Sequence, residues 1–285
     1  MRSEVGPMRV DLSHLRRDRV LELLRGWAPE GAPAAEMEGY IRHSAGRLCA
    51  SARALAKLPH GARVLEIGAN PYFLTVLMHA ARPDLDWVCT NWHEGTLGVG
   101  PHETRAVRKL DHQAVPVRWY KANVERDPLP FPPESFDAVV YCEVLEHLIE
   151  DPARSLEHIH RVLKPSGELL LTTPNPARLI NLWRLLRQGT IYDGVSGYGI
   201  YGRHNREYSR RELVELLEGT GYRVTRCMTV ETTSDWSVRA LVARLGYGEH
   251  HLLLATRMSA EPRRYRPPWL YRSFHDERAA TGSAQ

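Results

Sequence analysis

Apolar residues along this chain follow two rhythms. Short runs at 62–67 (ARVLEI), 86–90 (DWVCT), 117–121 (VRWYK), 136–142 (FDAVVYC) and 168–173 (ELLLTT) predict buried strands. Between them, helical spacing predicts helices at 72–82, 101–113 and 151–163, the last ending in a Pro-Ser-Gly turn at 165–167. Strands alternating with helices specify a parallel sheet covered on both faces. Such a sheet binds ligands beyond the carboxyl ends of its strands, so the loops after Glu66, Thr90, Lys121, Cys142 and Thr173 are the places to look for chemistry.

The flanks read differently. Leu15, Val20, Leu21, Leu23 and Leu24 space a leading helix over 11–28, a Pro/Gly/Ala stretch at 29–35 reads as a hinge, and a second helix runs from Glu36 to Leu58. Past residue 174, an amphipathic helix at 176–188 leads into a Gly/Tyr-rich connection carrying Tyr192, Tyr198 and Tyr201, and a helix resumes at 209–219. Trp183, Leu182 and Leu185 are expected to pack that first helix onto the core. Strands at 222–230 and 249–256 complete the sheet as an antiparallel pair. The expected plan is therefore an N-terminal helical cap (1–58), a core (59–175), a substrate lid (176–208), the remainder of the core (209–258) and a mobile tail (259–285).

Composition narrows the function classes. With 43% apolar and 25% charged residues the chain has the means to bury a core. A net charge of +4 weighs against a dedicated nucleic-acid groove without excluding one. Cys49, Cys89, Cys142 and Cys227 are widely spaced with no C-x-x-C pair, which suits reduced thiols in a cytoplasmic protein. Neither an export signal nor a membrane-spanning run is legible, so no membrane partner is expected, and the chain is expected to be a monomer or homodimer.

The run VLEIGANPYFLT at 64–75 ends a buried strand in an acid, turns at Gly68 and opens a helix. Glycine allows a tight turn and a close backbone approach by a ligand. An NAD site would need G-x-G-x-x-G, and G-A-N-P-Y-F lacks the second and third glycines. KANVERDPLPFPPESFDAVVYCEVLEHL at 121–148 and RVLKPSGELLLTTPN at 161–175 sit at matching later positions. Together these segments resemble the small-molecule branch of the class I S-adenosylmethionine-dependent methyltransferases. The resemblance implies a Rossmann-like, seven-stranded, mostly parallel sheet. It places Glu66, Gly68, Ala69 and Asn70 at the amino-acid end of the cofactor, Asn123 and Val124 beside the adenine, and Cys142 and Tyr40 at the pocket. The family's acidic residue after the second strand is replaced by Thr90-Asn91-Trp92, so Asn91 is expected to meet the ribose hydroxyls and Trp92 to cover the adenine.

Glu143, Glu146 and His147 stand at i, i+3 and i+4, one face if the segment is helical, and RHNREYS at 203–209 supplies His204. This set is similar to the metal-binding arrangement of small-RNA 3′-terminal 2′-O-methyltransferases and ubiquinone-pathway O-methyltransferases, which implies Mg²⁺, Mn²⁺, Fe²⁺ or Zn²⁺ on those four residues. In the metal-free alternative Glu143 touches the cofactor and His147 or His204 serves as general base. The expected activity is methylation, foremost O-methylation, of a small acceptor such as a natural product, sugar or quinone. An RNA 2′-O-methyltransferase and a binding domain without methyl transfer stay open as alternatives.

Overall fold

The computed structural model describes residues 10–272 apart from 93–100, 109, 198 and 232–240. Nine strands form one sheet: β1 (Trp27–Pro29), β2 (Arg63–Ile67), β3 (Asp86–Asn91), β4 (Pro101–Arg108), β5 (Ala114–Lys121), β6 (Phe136–Cys142), β7 (Leu163–Pro174), β8 (Tyr222–Val230) and β9 (His250–Arg257). Their order is β1-β4-β5-β3-β2-β6-β7-β9-β8. The pairs β5/β3, β3/β2, β2/β6 and β6/β7 are parallel, while β9 runs antiparallel to both β7 and β8. Chain order reverses between β2 and β6, which makes the crevice above those two strands the natural ligand site.

The central strands are continuously apolar because each feeds two cores. Val64, Ala138, Val140 and Leu170 join a cluster under α1 (Arg17–Leu24), α2 (Ala34–Ala54) and α3 (Phe73–Ala81). Their neighbours Leu65, Ile67, Val139, Tyr141, Leu169 and Leu171 join a second cluster under α4 (Pro152–Val162) and α6 (Arg210–Gly219). Side chains alternate across a strand, so a strand covered on both faces is apolar at successive positions except where a buried polar group finds a partner, as Glu66 does. Local signals set the helix starts: Asp151 caps α4 with Pro152 in its first turn, and Ser209 with Glu212 forms a capping box on α6.

Three expectations are corrected. Nine strands replace seven, because residues 101–108 form β4 in an antiparallel pair with β5, not the start of a helix over 101–113. Pro101, Glu103 and Arg105 are exposed while His102 and Thr104 are half-buried, a period of two that charged residues obscured. The ribbon closes through Asp111 and His112 (φ 57), with the Arg108 N–H donating to the Gln113 carbonyl. Next, the leading helix ends at Leu24, and Trp27–Pro29 pairs with β4 as an edge strand. Finally, Trp183 and Leu185 on α5 (Leu179–Leu186) are 53% and 50% exposed, so that stripe does not pack onto the core.

Within the segment expected as a tail, Tyr265–Tyr271 lies against α4 and α6. Arg266 pairs with Asp151 and Glu157, the Tyr271 hydroxyl donates to Asp151, and Trp269 Nε1 donates to Glu215.

Candidate functional site

Gly68 turns the chain out of β2 with φ +68, and a Cβ there would stand 2.5 Å from Val144 Cγ2. Both the backbone sign and the absent side chain are therefore needed for β2 and β6 to end side by side. Just before it, Glu66 is 6% exposed and accepts hydrogen bonds from Thr75 Oγ1 (2.6 Å) and Trp87 Nε1 (2.9 Å). Burial pushes its carboxyl up to about 7 against the pull of those two donors. Asn91, at the end of β3, accepts from the Asn70 N–H and donates to the Tyr72 hydroxyl, each at 2.9 Å. The amide expected at the ribose thus holds the turn after β2.

Two adjoining cavities open above this turn, of about 480 Å³ and about 60 Å³, sharing Gly68, Asn70 and Glu143. Asn91, Trp92, Asn123 and Val124 line the larger. Tyr40, Glu66, Ala69 and Cys142 line the smaller. All ten residues expected at the cofactor therefore meet in one crevice, although they come from five separate stretches of chain. Trp92 is 36% exposed, with Lys121 Nζ 5.1 Å from its ring centroid. From the connection between α5 and α6, Tyr201 reaches the larger cavity and donates to Glu125 (2.7 Å) while accepting from Asn123 Nδ2 (3.0 Å). Glu125, buried and unremarked in sequence, also accepts the backbone N–H groups of Ile149, Glu150 and Asp151. No short motif announces it, since its partners lie beyond β6.

Beyond β6 the expected helical face does not form. Glu143 adopts φ 55, and only Leu145–His147 make a 3₁₀ turn. Glu143 is carried away from the other three candidates: it accepts from Thr172 Oγ1 (2.9 Å) and faces His250 Nε2 at 3.0 Å and the buried Arg47 at 3.7 Å. Burial would raise its carboxyl, but Arg47 and His250 hold it well below the usual range. His250 and Arg47 are the partners sequence reasoning did not assign to it.

Glu146, His147 and His204 do meet, with one ligand atom from each lying within 4.8 Å of the others. Glu146 is fully buried; its Oε2 accepts from Thr173 Oγ1 while its Oε1 has no hydrogen-bond partner. Burial, and then the Glu143 charge, push the Glu146 carboxyl upward. His147 Nδ1 donates to the Arg203 carbonyl (2.9 Å), which turns Nε2 toward Glu146 Oε1 at 4.0 Å. Burial and neighbouring His204 lower His147, whereas His204 is raised, burial being outweighed by Glu207, Glu146 and Asp193. His204 is delivered by backbone: the N–H groups of Asn205 and Arg206 donate to the Glu146 carbonyl at 2.7 and 3.1 Å. Glu207, anchored by Arg178 at 2.9 Å, stands 3.5 Å from His204 Nδ1.

His147 lines the 480 Å³ cavity, while His204 lines another of about 510 Å³ on the far side, their rings 5.0 Å apart. Asp193, Arg206, Glu207 and Tyr208 also line this outer cavity, and the fully buried Tyr208 hydroxyl has no partner. Tyr198, expected in the same loop, lies outside the described residues.

A family model described as a methyltransferase domain matches residues 40–226. A protein of Mycolicibacterium smegmatis described as a probable S-adenosylmethionine-dependent methyltransferase is 36% identical over 96 residues, 34% of this chain and 32% of its own length. A highly reducing polyketide synthase of Emericella nidulans is 33% identical over 155 residues, 52% of this chain and 6% of that protein. The chain thus spans a third or less of the curated relatives it matches. Among solved structures, a chain from the Haloferax volcanii complex between the Trm112 activator and a methyltransferase superposes with a TM-score of 0.51 at 16% identity, over 80% of this chain and 95% of that one. That likeness concerns the fold. With the family model spanning the β2 turn, the crevice and the Glu146–His204 cluster, this chain belongs to the class I S-adenosylmethionine-dependent methyltransferase family.

Proposed function

We propose that the chain methylates an oxygen of a small-molecule acceptor held in the outer cavity, with His147 and His204 at the boundary between donor and acceptor. The observation that carries this reading is the pair of cavities, one lined by His147 and the other by His204, whose rings lie 5.0 Å apart. The residues fit S-adenosylmethionine: the buried acid Glu66 lines the small cavity, the aromatic Trp92 lines the large one, and Gly68, which has no side chain, lines both. Bound there, S-adenosylmethionine supplies an electrophilic sulfonium methyl.

Glu66 and Tyr40 border the amino-acid end, and Asn123, Val124 and Trp92 border the adenine. Tyr201, tied to Asn123 and Glu125, closes the crevice as part of a lid over 176–208 and excludes water. His204, oriented by Glu207, accepts the acceptor's hydroxyl proton at a ring nitrogen as the O–CH3 bond forms and the S–CH3 bond breaks, with S-adenosylhomocysteine as the leaving group. Glu143 keeps Arg47 and His250 in place beside the methyl rather than taking the proton itself.

Glu146, His147 and His204 also form a donor set for a divalent ion, Mg²⁺, Mn²⁺, Fe²⁺ or Zn²⁺, given the orphaned Glu146 Oε1 and the inward-turned His147 Nε2. An ion held by Glu146, His147 and His204 would supply Lewis-acid polarisation of an acceptor oxygen. The polyketide synthase match favours an acceptor of natural-product type.

Calorimetric titration of the chelated protein with S-adenosylhomocysteine, repeated with each ion and with Glu146→Ala/His147→Ala, tests the reading. Micromolar cofactor binding is expected, with a metal heat that the double variant loses. Absence of cofactor binding under every condition overturns it. An RNA acceptor would instead reveal itself through steep salt dependence of acceptor binding.

A further inference from the structure

Helix α5 is inside out. Leu179, Ile180, Trp183 and Leu186 recur at i, i+1, i+4 and i+7 and so share one face. That face is the exposed one, at 48%, 47%, 53% and 84%. Asn181, on the opposite face, is fully buried and donates to the Pro176 carbonyl and Glu207. Across a groove of about 280 Å³ lined by Trp183, Val242 and Tyr247, the segment 241–247 adds Leu241, Leu245 and Tyr247, themselves 57%, 66% and 42% exposed. A folded domain seldom leaves this much contiguous apolar surface in water without a partner for it.

Charge identifies the partner. From Pro176 to Tyr192 the chain carries Arg178, Arg184 and Arg187 and no acid, and 241–247 adds Arg244, again without an acid. Arg178 is spent on Glu207, but Arg184, Arg187 and Arg244 are exposed, and the Arg187 guanidinium lies 4.7 Å from the Trp183 ring centroid. Glu231 and Glu249, the acids bordering the groove, are half-buried. A two-fold pairing of this face with a second copy would oppose like charges around the apolar centre. Anionic headgroups would instead neutralise the arginines while the acyl boundary takes the Leu, Ile and Trp side chains.

We propose that α5 and residues 241–247 form a surface that binds the face of an anionic phospholipid membrane without crossing it. No described helix is long and apolar enough to span a bilayer, and the proposal departs from the sequence expectation of no membrane partner, which was drawn from the absence of a spanning run. Surface attachment depends on a helix face rather than on length. The proposal does not rest on the acceptor reading, because attachment is measured without methyl transfer.

The test is co-sedimentation of the full chain with phosphatidylglycerol vesicles and with phosphatidylcholine vesicles, alongside light scattering of the free protein. Binding to the anionic vesicles is expected to be at least about tenfold tighter, and to weaken in high salt. Leu179→Glu/Leu186→Glu should abolish pelleting, and Arg184→Gln/Arg187→Gln should erase the anionic preference, while thermal unfolding and the circular dichroism spectrum stay as in the parent. Failure to pellet with either vesicle, pelleting that ignores both double variants, or a dimer that Leu186→Glu dissociates would each overturn the proposal, the last by showing a second copy on this face.

Discussion

The turn after β2 and the Glu146–His204 cluster treat their polar atoms differently. Around Gly68 most polar groups satisfy one another: Asn91 bridges Asn70 and Tyr72, and Glu66 takes Thr75 and Trp87, while Thr90 Oγ1 stays without a partner. Around His204 the groups are assembled but incomplete, with Glu146 Oε1 and the Tyr208 hydroxyl buried and unpartnered. An unmade buried hydrogen bond costs about 1–3 kcal/mol, so the second region stores a larger demand for a ligand than the first. Shape recognises at the β2 turn, and chemistry waits at the cluster.

Four substitutions sharpen or break that contrast. The largest effect is expected from His204→Ala, which should lower kcat by about 10²–10⁴-fold, the usual contribution of a general base, with S-adenosylhomocysteine affinity unchanged by calorimetry. Equal losses in kcat and cofactor affinity would dissolve the division between the two regions. Gly68→Ala should do the reverse: an overpacked contact with Val144 plus a left-handed alanine costs about 2–4 kcal/mol, and cofactor binding should weaken roughly a hundredfold. Combining it with Val144→Ala should restore part of the loss.

Glu66 offers a pH test. Its folded carboxyl is raised from 4.5 to about 7, so the proton it holds stabilises the fold fully below about 4.5, and that stability is lost as pH rises through about 7. Urea unfolding of the ligand-free protein at steps from pH 5 to 8 should show a decline of up to about 1.4 kcal/mol per unit that flattens above 7, and Glu66→Gln should remove it. An identical slope in the variant would mean Glu66 is already ionised. Smallest is Tyr208→Phe, which removes an orphaned hydroxyl: thermal unfolding should stay level or rise slightly, while the acceptor KM increases severalfold, about 1 kcal/mol per lost hydrogen bond. A fall in stability with KM unchanged would place that hydroxyl in the core's own bonding.

Helices α4 and α5 mark how far sequence reading reaches. Both show apolar residues at helical spacing, and α4 buries Ala153, Leu156, Ile159 and Val162 as that spacing implies. On α5 the same signal points outward, since periodicity tells which residues share a face and not which face the rest of the chain covers. Strand β4 was hidden for a related reason: a half-exposed ribbon next to the sheet edge carries Glu103, Arg105 and Arg108 among its residues, and its period of two emerges from its pairing with β5 and β1.

The sequence by itself determined the seven strands common to expectation and structure, the turn at Gly68 and the loops that hold the chemistry. These depend on local sterics and on runs of apolar residues that two covered faces demand. Tertiary structure alone decided who pairs with whom: Asn91 goes to the β2 turn, Glu143 to Arg47 and His250, and Glu146 to the two histidines. Those choices join residues far apart in sequence, where a side chain's partner is set by where packing brings the strands and loops to rest, and no local pattern encodes that.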